Sequence, residues 1–77
     1  MTINDVIKMI ADTYPGRKPA RYAQDGDTWY VFTENTVNHG RHLNTLIENG
    51  WFVVTTNGVL PSTPLDMPKG LKFKRIH

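Results

Sequence analysis

The chain has 77 residues, with nine Lys and Arg against seven Asp and Glu, so its formal net charge is +2 and it has room for one small core. It contains no Cys, which excludes a disulfide framework, a thiolate metal site and a Cys nucleophile. No apolar run approaches the roughly 20 residues of a membrane span, and Asp5 sits where a signal peptide would carry positive charge; the composition predicts one soluble, cytoplasmic α+β domain over residues 1–77.

A helix is expected over residues 3–14. Ile3, Val6, Ile7, Ile10, Ala11 and Tyr14 recur at helical spacing and form one continuous face. Thr2 is placed to cap the first turn, with Asp5 three residues on as in a capping box. Pro15-Gly16 ends the helix, because proline cannot continue it and glycine accepts a left-handed turn. A basic loop follows, then a hairpin: a short strand over 21–24, a turn at Asp25-Gly26-Asp27, and a strong strand over 28–33. In that second strand Trp29, Tyr30, Val31 and Phe32 are apolar in succession. The strand is therefore either central and covered on both faces, or it exposes an aromatic face to a partner.

A second helix is expected over residues 38–49, with Leu43, Leu46 and Ile47 as its apolar stripe, Asn38 as N-cap and Asn49-Gly50 at its end. WFVVTT, residues 51–56, reads as a second strong strand, and Asn57-Gly58 as its hairpin turn. Pro61 is expected to cut the returning arm short at Val59-Leu60. Residues 61–70, with three prolines, read as an irregular connection, and residues 71–76 as a last strand. The expected order is thus α-β-β-α-β-β, with both helices on one face of a three- or four-stranded antiparallel sheet.

No catalytic constellation emerges, and no cofactor or metal is implied. Ser62, the only serine, lies in the proline-rich stretch without nucleophile-elbow glycines and reads as a turn residue. His39 and His42 share a face if helical, but a metal site needs further ligands that the pattern does not supply. With Arg41 they form a cationic patch suited to phosphate or to an acidic surface. Asp25 and Asp27 lack the alternating oxygen ligands of a calcium loop and read as a turn.

LIENGWFVVTTNG, residues 46–58, resembles the opening of the small HicA-type RNA-cleaving toxins, in which a helix, a turn and a strand precede a catalytic histidine that follows a glycine. Here Gly58 is followed by Val59, Leu60 and Pro61, so that histidine is absent and no activity carries over.

The pI near 9.2 reflects a small surplus of charge that is unevenly placed. Arg17, Lys18 and Arg21 form one cluster; Lys69, Lys72, Lys74 and Arg75 form another, with Asp66 the only acid after Pro61. In KGLKFKRIH basic and apolar residues alternate, which suits a nucleic-acid backbone or an acidic groove; lysines of this kind also keep an edge strand soluble. The expected function is a small non-enzymatic binding protein, a phage- or mobile-element-type regulator or inhibitor of a host protein. The alternative is a nucleic-acid-binding module built on the two clusters and exposed aromatics. The candidate contact residues are Arg17, Lys18, Arg21, Arg41, His42, Lys72, Lys74 and Arg75. Dimerisation would ease both the small core and an exposed strand.

Overall fold

The computed structural model describes residues 1–33 and 50–76. Helix α1 spans Ile3–Thr13. Its start is a reciprocal cap: the Asp5 N–H donates to Thr2 Oγ1 at 3.3 Å, and the Thr2 N–H donates to Asp5 Oδ2 at 2.8 Å. These bonds satisfy amide groups that the first turn leaves without partners. The inward line of the helix is Val6 and Ile10, both fully buried, with Ile3, Met9 and Tyr14 packed beside them. Ala11, expected on the apolar face, is exposed, because that face turns about the Val6–Ile10 line and leaves Ala11 at its margin.

Five antiparallel strands follow: β1 (Pro19–Asp25), β2 (Thr28–Thr33), β3 (Trp51–Thr55), β4 (Gly58–Ser62) and β5 (Lys74–Arg75). Their spatial order is β4-β3-β2-β1-β5. The central strand β2 is paired with both β1 and β3, as in Tyr22↔Val31↔Phe52. Side chains alternate between faces along a strand, which sorts the apolar run of β2 into two cores. Trp29 and Val31 join Val54, Val59, Val6 and Ile10 beneath α1. Phe32 packs with Trp51 on the opposite face, supported by Tyr30, Val53, Met67 and Phe73. The doubly covered strand is therefore the arrangement found.

The expected α-β-β-α-β-β order, with two helices on one face of a three- or four-stranded sheet, is corrected. Among the described residues there is one α-helix, and the sheet has five strands. The helix expected over 38–49 lies outside the described residues. Pro61 does not stop the returning arm, and β4 runs through it to Ser62. In a two-residue hairpin the closing pair, here Thr55↔Gly58, is hydrogen-bonded. Counting from it, Phe52↔Pro61 is a non-bonded pair, so the proline nitrogen faces outward on an edge strand, where a missing N–H costs no ladder bond.

After β4 the chain makes a 3-10 turn, Pro64–Asp66. It then crosses the sheet face opposite α1, where Met67 and Phe73 pack onto the Phe32–Trp51 core. Phe73 meets Phe32 edge-on, with ring centroids 4.6 Å apart. This docking delivers β5 to the far edge of the sheet, beside β1 rather than beside β4. The expected last strand over 71–76 shrinks to Lys74–Arg75, and β1 begins at Pro19, ahead of the expected residue 21.

Candidate polyanion-binding edge

The pairing of β5 with β1 brings together two basic clusters far apart in sequence. Arg21 lies opposite Arg75, and Tyr22 opposite Lys74. The Ile76 N–H donates to the Ala20 carbonyl at 3.2 Å, which extends the contact toward the start of β1. Arg17 and Lys18 precede Pro19 in the exposed loop that feeds this strand. Arg17, Lys18, Arg21, Lys72, Lys74 and Arg75 thus follow one sheet edge. Among the described residues none of these six cations is held in an ion pair.

Alternation distributes the charge over both faces of that edge. Arg21 pairs with Phe32 in β2, so Arg21 and Arg75 belong to the Phe32–Trp51 face. Tyr22 packs with the core beneath α1, so Tyr22 and Lys74 belong to the helix face. Helix α1 lies chiefly over β3 and β4, so among the described residues it does not cover the β1–β5 end of its own face. There a groove of about 350 Å³ is lined by Tyr22, Ala23, Gln24, Gly26, Lys72 and Lys74.

The Tyr22 ring rests against Trp29, with centroids 5.2 Å apart. The Gln24 amide donates to the Gly26 carbonyl at 2.9 Å and is fixed in place. Gly26 turns the hairpin at φ 58°, a conformation that favours glycine. Asp25 and Asp27 flank this turn and make one end of the edge acidic; the cations occupy the remainder.

Lysines on an edge strand protect against pairing with other chains, which is sufficient reason for Lys72 and Lys74. It is not sufficient for Arg21 opposite Arg75, since like charges directly across two strands are destabilising. A bound polyanion would remove that repulsion.

Six of the eight expected contact residues are brought to one edge. Arg41 and His42, with His39, lie outside the described residues. Lys69 is exposed on the crossing segment and takes no part in the groove. Tyr22 is one of the aromatics that the nucleic-acid alternative requires near the basic clusters, and it lies beside Arg21 in β1; Gln24 was not among the expected contacts. Ser62 has a structural partner, its hydroxyl donating to Asp66 Oδ2 at 3.0 Å. Thr63 donates to the same oxygen from its N–H at 3.1 Å and its hydroxyl at 2.8 Å. These hydrogen bonds, led by the Thr63 hydroxyl, hold the Asp66 carboxyl below its ordinary value. Asp66 is a cap for the 3-10 turn rather than a reactive acid. Among the described residues no three His, Asp or Glu side chains gather as a metal-ligand set, and no helix is long and apolar enough to cross a membrane.

A scan against protein-family models finds no match, and neither do comparisons with curated proteins and with solved structures.

Proposed function

We propose that the chain is a binding protein whose β1–β5 edge engages nucleic acid. The observation that carries this reading is the convergence of Arg17, Lys18 and Arg21 with Lys72, Lys74 and Arg75 through antiparallel pairing. Six cations spread along both faces of one edge suit a ligand with many charges, such as a phosphate backbone, better than one small anion. Binding of this kind gains from the release of counterions condensed on the nucleic acid.

The test is fluorescence anisotropy of labelled single-stranded and duplex oligonucleotides at low salt, followed by a salt titration. Neutralising four to six phosphates gives log K against log salt a slope of about −3 to −5, depending on strandedness. Lys72→Gln with Lys74→Gln should make the slope shallower by about one for each phosphate no longer neutralised. Absence of binding to either form at low salt would contradict the reading.

A second reading is a host protein as partner, the chain acting as a regulator or inhibitor. It rests on Leu60 and Leu65, which are 65% and 95% exposed near the opposite edge of the sheet. Scattered exposed leucines are ordinary on small proteins, so this reading has less behind it. It predicts a specific complex that survives moderate salt and is weakened by Leu60→Ser with Leu65→Ser.

A further inference from the structure

We propose that the Tyr22 groove selects single-stranded nucleic acid, holding one unpaired base against the Tyr22 ring with Lys72 and Lys74 on the adjoining phosphates. This rests on the nucleic-acid reading and adds the strandedness and the contact that determines it. Three features of the groove favour it. The volume of about 350 Å³ is at the small end of ligand pockets and is enough for one base with its phosphate. The ring is pre-positioned, because Tyr22 is half-buried and braced by Trp29, so little side-chain freedom is lost when a base stacks on it. The flanking cations are on the same face as the ring, since Lys74 lies opposite Tyr22 and Lys72 lines the same groove.

In a duplex the base faces are already stacked and cannot reach such a ring. Base–aromatic stacking accepts any base, so the preference is for single strands without a strong preference for sequence. The phosphate contacts alone would serve both forms. A ring in the groove is therefore what separates single-strand from duplex affinity.

The test is anisotropy with a labelled oligothymidylate of about a dozen nucleotides and a duplex of equal length, on the full chain and two variants. Tyr22→Leu keeps apolar bulk against Trp29 but removes the π-face; Tyr22→Phe keeps both. The wild type should bind the single strand more tightly than the duplex. Tyr22→Leu should weaken single-strand affinity about tenfold with duplex affinity unchanged, and Tyr22→Phe should retain it.

A readout on the wild type avoids any question of variant folding: the Tyr22 ring protons should move upfield in NMR spectra when the unlabelled oligothymidylate is added. An equal fall of both affinities in Tyr22→Leu, or ring resonances that do not move on saturation, would overturn the stacking site and leave the nucleic-acid reading standing. Absence of binding to both oligonucleotides would overturn both.

Discussion

Individual side chains divide into those that hold the sheet together and those left available to a partner. Phe32 is the clearest of the first kind. It is 1% exposed and packs between Trp51 and Phe73 with centroids 6.4 and 4.6 Å away. Phe32→Ala should cost about 3–5 kcal/mol, the range for a buried aromatic truncated in a core that cannot collapse around the cavity. Chemical denaturation would measure it, as a lower midpoint at an unchanged slope.

Asp66 is of a different kind, since it is exposed and acts by accepting three hydrogen bonds from Ser62 and Thr63. Its folded pKa is depressed below 3.8. Its stabilisation of the 3-10 turn is therefore complete above 3.8, the value for an unperturbed Asp, and is lost as pH falls through the lower folded value. An NMR titration of the carboxyl should give a midpoint below 3.8, and Thr63→Ala should raise it by removing the largest of its causes.

At the scale of elements, the decisive step is the placement of β5. A strand of two residues cannot hold itself on an edge by its ladder bonds, each of which is worth about 1 kcal/mol net. The Phe73 ring, seated against Phe32 on the opposite face from α1, is what fixes it. Phe73→Ala should therefore release β5 while the β1–β4 sheet persists. Hydrogen exchange would show this as reduced protection at the Ile76 amide, which bonds Ala20, with protection in β2 and β3 kept. The same variant should weaken nucleic-acid binding, because Lys74 and Arg75 leave the edge together.

The placement of β5 is also where the sequence becomes hard to read. Helix α1, its cap, the turn at Gly26 and the two-sided β2 follow from periodicity and turn residues, which are local properties; the second turn falls on Thr56 and Asn57, one residue ahead of the expected Asn57-Gly58, because Gly58 already opens β4 opposite Thr55. The sheet edge chosen by a Lys-rich tail after three prolines is not local. It depends on Phe73 finding Phe32 across the sheet, and no period in KGLKFKRIH encodes that. Pro61 misled for a related reason: proline is excluded from a strand only when its nitrogen faces a neighbour, and register is a property of the pair.

At the scale of the whole molecule, a net charge of +2 becomes informative only once the fold is drawn. Asp5 is tied to the start of α1 and Asp66 to the turn after β4, each satisfied by nearby donors. Among the described residues six cations, Arg17, Lys18, Arg21, Lys72, Lys74 and Arg75, are not satisfied in this way and collect where β1 meets β5. The two clusters were legible in the sequence; their adjacency was not, nor was the placement of α1 toward β3 and β4 rather than over β1 and β5.

Because the proposed function rests on one sheet edge with cations on both of its faces, the most direct test is the salt dependence of oligonucleotide affinity for the wild type and for Arg21→Gln with Arg75→Gln. The wild type should bind at low salt with a slope of about −3 to −5. The slope of the double variant should be shallower by about two, and its stability unchanged or higher, since the two arginines oppose each other directly across the strands. Affinity that is indifferent to salt, or to removal of both arginines, would contradict a polyanion-binding edge.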